Sequence, residues 1–421
     1  MIVEWIQHPA GHGGFHTGHV RLGDDSVFNW IFDCGARSTT NFDKLVKSWA
    51  VRNRSVVDWL FISHFDTDHV SGLDTLLAST VVDDVMLPYV NEGELAFALL
   101  YEIGRGNSQR SFVELVADPA EFFLSRGAQR VTFLGGPRRP EFSEPVTGFP
   151  GGPSGDKPSG RIGSKLIPGP TTASQPGNRS IPKRGGGHRV RVIEQDACEI
   201  FADSGEIGIR LKPYRKAVAR GVLGGLRRSL RGLVGPTKTI SGRPGLGGLA
   251  YAIALHARTA AGRGDLQKIF KSYVGSSNRA SLSLLSIPYA RHPTTNQISG
   301  GQWHMGTSGP GVFNRFHYEE PPAWLNTGDA ELLTKRDLDA WAAVYSTELP
   351  SVRMLALPHH GSDKNSDLRL QDLCPSASLV AHVKESAKKH PGPIVSGAAG
   401  SRLCRVTEDT DSILRMWASL R

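Results

Sequence analysis

Six residues, His64-Phe-Asp-Thr-Asp-His69, set four potential metal ligands directly behind the apolar run Asp58-Trp-Leu-Phe-Ile-Ser63. A strand that ends in two imidazoles and two carboxylates suits a fold that gathers polar side chains beyond a strand end. Extended backbone sends alternate side chains to one side, so residues 64, 66 and 68 share a face. His69 follows where Val70-Ser-Gly-Leu73 can begin a helix. The competing explanation is a polar loop with chance histidines. Two distant segments weigh against it, because each also runs from an apolar strand into ligands. They are Ala323-Trp-Leu-Asn-Thr-Gly-Asp329 and Val352-Arg-Met-Leu-Ala-Leu-Pro-His-His360.

The surrounding pattern is strand, helix, strand. Alternation marks strands at Ile2–Ile6, His19–Leu22, Val27–Phe32 and Gln129–Leu134, and apolar spacing marks helices at 41–51, 73–78, 93–104 and 112–126. Between Gly135 and Gly187 the chain turns Gly-, Pro- and Ser-rich, a composition that buries no core. Strands are expected again at Val190–Ile193, Glu199–Phe201 and Ile207–Leu211, then a Gly-broken helix over 215–234, and a helix over 333–345. The resulting division is 1–134 and 276–421 as two halves of one fold, 135–192 as a flexible linker and 193–275 as a basic insertion.

Charge is concentrated. The whole chain carries 49 Lys and Arg against 40 Asp and Glu. The segment 207–264 holds twelve of those cations and no acid, so the remainder, 37 against 40, is slightly acidic. That asymmetry points to a polyanion partner such as nucleic acid; a solvated insertion is the plainer alternative, since Tyr214 and Tyr251 are its only aromatics. Cys34, Cys198, Cys374 and Cys404 are too scattered for a zinc knuckle or redox motif and are expected to be reduced thiols. No stretch nears the roughly 20 apolar residues of a transmembrane helix. With no leader pattern at Met1-Ile-Val-Glu-Trp-Ile6, a cytoplasmic location is expected.

The loop at 64–69, with Ser281-Leu-Ser-Leu284, Thr327-Gly-Asp329, Pro358-His-His-Gly-Ser362 and His390-Pro391 in this order, resembles the metallo-β-lactamase superfamily. It is most similar to the metallo-β-lactamase-like domain of bacterial DNA-uptake proteins, with Asp66 standing where the superfamily usually has a second histidine. The resemblance covers about 1–134 and 276–421. It implies an αββα sandwich and two divalent ions, Zn or Mn. One ion would take His64, Asp66 and Asp329; the other Asp68, His69, the shared Asp329 and either His359 or His360. Exchanging a histidine for Asp66 favours the harder Mn²⁺ at one site. Asp33 is expected behind the ligands, orienting them, or else as a turn residue before Cys34-Gly35. His390 is expected to face substrate, an ordinary surface turn being equally compatible. Ser362 is read as a cap. The superfamily's isolated third-motif histidine stays unassigned among His188, His256, His292, His304 and His317.

Two divalent cations against three carboxylates leave the inner ligands one positive charge, which attracts a phosphate and lowers the pKa of a coordinated water. The expected function is therefore a metal-dependent phosphodiesterase or nuclease working through a metal-bound hydroxide, with Asp68, His360 and His390 at the chemistry. Hydrolysis of a small ester, lactone or thioester is the second reading, and a polyanion-binding module with a vestigial site the third. The Gly-rich run holding His8, His12, His16 and His19 is read as a hairpin turn, which the resemblance implies lies over the metals, an additional metal site being the other option.

Overall fold

In a computed structural model of the chain, residues 1–53, 56–90, 92–104, 109–135, 161–168, 178–180, 189–203, 207–216, 223–235, 246–272, 281–290, 298–305, 314–316 and 321–420 are described. Along the first half run β1 (Ile2–Gln7), β2 (Gly13–Arg21), β3 (Val27–Ala36), α1 (Thr39–Asn53), β4 (Val57–Phe61), α2 (Thr67–Val70), α3 (Leu73–Ser79), β5 (Val82–Pro88), α4 (Glu92–Gly104), α5 (Arg110–Ala117), α6 (Pro119–Ser125) and β6 (Arg130–Leu134). Then come β7 (Ser164–Pro168), β8 (Asn178–Ser180), β9 (Val190–Ile193), β10 (Cys198–Asp203), β11 (Ile207–Arg215), α7 (Leu223–Val234), α8 (Gly248–His256) and α9 (Ala260–Ser272). The remainder is β12 (Leu282–Ala290), β13 (Ile298–Met305), β14 (Asn314–Phe316), β15 (Ala323–Asn326), α10 (Lys335–Val344), β16 (Val352–Ala356), α11 (Arg369–Leu373), β17 (Ser378–His382), α12 (Pro393–Ala399), β18 (Leu403–Val406) and β19 (Leu414–Leu420).

The fold is mixed α/β, built on two sheets. One has the order β14-β13-β19-β1-β2-β3-β4-β5-β6-β9-β8, the other β18-β17-β16-β15-β12-β11-β10-β7. Period-two alternation explains how they stack. Trp59 and Phe61 of β4 join Trp5, Trp30, Trp324 and Met354 in a core between the sheets, while Leu60 and Ile62 face the other way, into a core shared with α1, α3, α4 and α5. A third cluster packs Trp341, Tyr345 and Leu370 against the outer face of the second sheet. Helices thus cover both outer faces. Among the described residues no helix is long and apolar enough to cross a membrane, and all four cysteines are buried without a disulfide.

Each sheet has a parallel block, β3-β4-β5-β6-β9 in the first and β15-β16-β17-β18 in the second. Parallel strands bring their carboxyl ends to one edge, which is where open α/β sheets present ligand sites. The carboxyl-terminal part of β3 carries Asp33, and the segments after β4, β15 and β16 carry the 64–69 loop, Asp329 and His359-His360. Gly35 makes the first of these meet the second: a Cβ there would lie 2.5 Å from the backbone C of His69 and N of Val70. Glycine alone lets β3 and α2 approach so closely.

Several expectations change. The helix expected over 112–126 is two, α5 and α6, because Asp118 caps the second through Glu121 N at 3.1 Å and Pro119 occupies its first turn. In the segment read as a linker, the described parts include strands β7 and β8, in different sheets; 136–160, 169–177 and 181–188 lie outside the described residues. The basic segment is interleaved with both halves. Its strands β10 and β11 extend the second sheet, and Leu230, Leu249, Ile253 and Leu266 share a core with Leu99 and Phe112. Four of its cations are held by acids from elsewhere: Arg210 and Lys212 on Glu348 at 2.6 and 3.2 Å, Arg215 on Glu94 at 3.7 Å, Lys216 on Asp337 at 2.8 Å. Arg220, Lys238 and Arg243 lie outside the described residues.

Candidate metal centre

The strand ends converge. Around Asp329, His64 Nε2 lies 3.5 Å from Oδ2 and His69 Nε2 3.5 Å from Oδ1. Around Asp68, His12 Nε2 is 3.4 Å and His360 Nε2 3.7 Å from Oδ2. His360 Nε2 is also 4.0 Å from Asp329 Oδ1, so the two groups adjoin. Within each trio, His64-His69-Asp329 and His12-Asp68-His360, one ligand atom per residue lies within 4.8 Å of the others, and all six residues are buried.

These separations fit a cation. Ligand atoms about 2.0–2.2 Å from a zinc ion at tetrahedral angles stand roughly 3.4 Å apart. The chemistry fits as well: Nε2 of His12, His64, His69 and His360 are all buried without a hydrogen-bond partner. Four such atoms, converging on two carboxylates, would be costly to leave without a Lewis acid or proton.

The supports run one layer deeper. Asp33 Oδ2 accepts from Ser63 Oγ at 2.7 Å and faces His69 Nδ1 at 2.8 Å, while its Oδ1 accepts from Ser63 N at 2.6 Å. Its backbone is left-handed, φ 59°, a conformation Asp tolerates better than most residues. Ser63 Oγ is also 2.9 Å from His64 Nδ1. Ser281 Oγ accepts from Asp329 N at 2.9 Å, and a Cβ on Gly328 would lie 2.5 Å from that oxygen. Thr67 Oγ1 donates to Glu102 Oε2 at 2.5 Å, tying the ligand loop to α4. Arg37 Nε donates to Asp68 Oδ2 at 3.1 Å.

Burial and neighbouring charge set the protonation states. Burial, then His360, pushes His12 down to about 2; burial, then His69, pushes His64 down to about 4. Both present a neutral nitrogen. Burial opposes charge on His69, yet Asp33 and Asp329 outweigh it and hold that ring well above the usual range. Burial and the adjacent Asp68 and Asp329 raise Asp66. Asp68 and Asp329 are held well below the usual range: burial opposes this, but His360 and His69 outweigh it for Asp68, and His359, His64 and His69 for Asp329. A bound cation would substitute for these mutual contacts.

The grouping differs from the one implied at the sequence level. His69 pairs with His64 across Asp329, ring centroids 4.1 Å apart, rather than with Asp68. Asp66 Oδ2 stands 3.8 Å from His64 Nε2, at the edge of the first group. Of the paired histidines, His360 is the inner one, its side chain 2% exposed against 28% for His359. His359 Nε2 reaches within 3.8 Å of Asp329 Oδ2, and its ring stacks on His390 at 5.7 Å. Both residues of the pair have left-handed backbone, φ 47° and 58°, which costs roughly 1–3 kcal/mol each and persists only where the surroundings fix it. His390 lies outside both trios, its ring 5.7 Å from His12. Ser362 Oγ accepts from Lys364 N at 3.2 Å, a local turn contact.

His12 is the residue whose role in the cluster the sequence does not reveal. Its carbonyl accepts from Arg37 N at 3.0 Å, which docks the β1–β2 turn over the cluster. The other histidines of that run go elsewhere: His8 to Thr17 Oγ1 at 2.9 Å, His19 to Asn29 Oδ1 at 2.6 Å, and His16 to a chamber against the cluster. Of the third-motif candidates, His256 lies on α8 with Nε2 3.9 Å from Asp265. His188, His292 and His317 fall outside the described residues, as does the side chain of His304.

Buried neutral histidines make the metal-free chain acid-labile. His8 and His382 are both pushed down to about 3, by burial first, then by Arg415 for His8 and by His360 for His382. An unfolded chain takes up these protons below about 6.5 while the folded one does not, so stability is full above that pH and falls steadily toward 3. Each unit of difference is worth about 1.4 kcal/mol per group. Asp58, raised to about 6 by burial against the pull of Asn29 N–H and Arg161, works in the opposite sense, as do Asp66, Asp84 and Asp196, raised by burial, and His69. Against them stand, among the described residues, six lowered histidines, His8, His12, His16, His64, His382 and His390. The melting temperature of metal-free protein is expected to drop between pH 6.5 and 5. A flat or rising profile would show these rings to be solvated.

No protein-family model and no curated protein matches the chain.

Proposed function

We propose that the chain is a metal-dependent hydrolase of phosphodiesters, in the manner of the metallo-β-lactamase superfamily, with nucleic acid as the substrate class. One observation carries the reading: two adjoining His/Asp trios, all but His12 from the carboxyl ends of parallel strands, with four buried imidazole nitrogens without a hydrogen-bond partner. The order of layers, helices outside two stacked sheets, agrees with an αββα sandwich of that kind.

Two divalent ions, Zn²⁺ or Mn²⁺, held by His64, His69 and Asp329 and by His12, Asp68 and His360, would supply Lewis acidity for activating water and neutralising phosphate charge. The chain's own residues do the rest. Asp33 and Ser63 fix the rings of His69 and His64, and Ser281 fixes the backbone of Asp329. His359 and His390 form a stacked pair at the mouth, where a leaving group would depart, and His390 is kept neutral, at about 4, by burial and then His360. A neutral ring there can accept or relay a proton. Arg37, 36% exposed, anchors Asp68 through Nε and leaves a fixed positive charge at the rim for a phosphate oxygen.

Acid-paired Arg210, Lys212, Arg215 and Lys216 are spoken for, so a polymer would engage Arg228 and Arg258, exposed on and beside the insertion's helices. Purified protein with Mn²⁺ or Zn²⁺ is expected to cleave single-stranded DNA and bis-p-nitrophenyl phosphate faster than carboxylic esters. Arg37→Ala should lower kcat/KM on the phosphodiester about 10–100-fold, the scale of a hydrogen bond to a charged group, with Arg37→Lys intermediate. Turnover of esters or lactones alone would replace this substrate class with the small-ester one. Salt-sensitive DNA binding without turnover would indicate a binding module instead.

A further inference from the structure

Against the cluster is a small chamber lined by Gln7, His16, Asn326, His360 and His382 together with Asp33, His69 and Asp329. The room in it for the centre of a water is about 20 Å³. One water needs roughly 10–15 Å³ by that measure. Polar atoms without partners surround it: Gln7 Oε1, both ring nitrogens of His16, Asn326 Nδ2, His360 Nδ1 and His382 Nε2. The two amides are oriented by their other ends, since Gln7 Nε2 donates to Phe15 O at 3.1 Å and Asn326 Oδ1 accepts from Trp324 Nε1 at 3.2 Å.

The inner histidines are supported unequally. His69 Nδ1 faces Asp33, and His64 Nδ1 faces Ser63 Oγ. His360 Nδ1, on the ring edge away from Asp68, meets no protein group. A metal-ligating histidine ordinarily gives its second N–H to an acceptor, which fixes its tautomer and its plane.

We infer that the chamber binds one ordered water that serves as the acceptor for His360, with His382 as the positioning residue that holds it. The inventory balances. Water accepts from His360 Nδ1–H and Asn326 Nδ2–H, and donates to Gln7 Oε1 and to His382 Nε2. This rests on the metal-centre reading and adds a role for a histidine, His382, that belongs to neither trio.

Two readouts test it. In chelator competition, His382→Leu is expected to weaken one of the two metal sites about 10–100-fold, the cost of losing an outer partner. His382→Gln, which keeps an acceptor, should stay within about threefold of wild type. Unchanged affinity at both sites in a folded His382→Leu protein would overturn the inference while leaving the metal centre intact. Separately, a high-resolution crystal structure of metal-free wild type should show a water within hydrogen-bond distance of His360 Nδ1. A chamber without water there would overturn the inference whatever the metals do, and wild type that binds no metal in the competition assay would instead overturn the metal centre.

Discussion

Replacement of Asp329 by asparagine or alanine is expected to remove hydrolysis by about a thousandfold or more, the largest effect of any single substitution in the chain. Its two oxygens stand within 3.5 Å of His64 and His69, and within 3.8 and 4.0 Å of His359 and His360, so this one carboxylate reaches histidines of both groups. The carboxylate also balances cation charge that the imidazoles cannot. Asparagine keeps the shape and offers one neutral oxygen, so it separates charge from packing. Loss of one stabilising donor in a preorganised site costs roughly 10²–10³ in rate, and loss of a group shared by two ions should exceed that. Elemental analysis of the same preparation should show metal content reduced along with activity. Full activity in Asp329→Asn would contradict the assigned role.

The second large effect belongs to Asp33. Asp33→Ala removes the acceptor for the buried Ser63 N–H and Ser63 Oγ–H and unpins His69. A buried donor left unsatisfied costs about 1–3 kcal/mol, which denaturant titration reads directly. Asp33→Asn tolerates the left-handed backbone and still accepts from Ser63 N, but its NH₂ cannot accept from His69 Nδ1–H. The asparagine variant should therefore be nearly as stable as wild type while losing roughly 10–100-fold in metal affinity. If both variants bind metal as tightly as wild type, Asp33 is only a turn residue.

Legibility followed locality. The convergence of loop 64–69 with the other strand ends was readable because four candidate ligands within six residues have few other uses, and the motifs at 326–329 and 358–362 repeat a strand-then-ligand plan that parallel strands make spatial. His12 was not. It sits among three other histidines in a glycine-rich turn, and only the tertiary docking of that turn through Arg37 N separates it from His8, His16 and His19. The apportioning of His69 was equally hidden, because α2 rotates its side chain toward Asp33 and Asp329 through a close approach at Gly35. Charge counting overstated the unpaired cations of the basic segment for a related reason. A run without acids says nothing of acids brought by other elements, and Glu348, Glu94 and Asp337 come from far along the chain. The edge strand β14, its neighbour β13, and the alignment of β19 between β13 and β1 depend on long-range pairing that no window of sequence contains.

Anomalous diffraction from crystals grown with Mn²⁺ or Zn²⁺ addresses the central claim most directly. The expected result is two peaks per chain, one among His64, His69 and Asp329 and the other among His12, Asp68 and His360. Crystals that show no metal at either trio, or metal bound only elsewhere on the chain, would contradict the proposed hydrolytic centre.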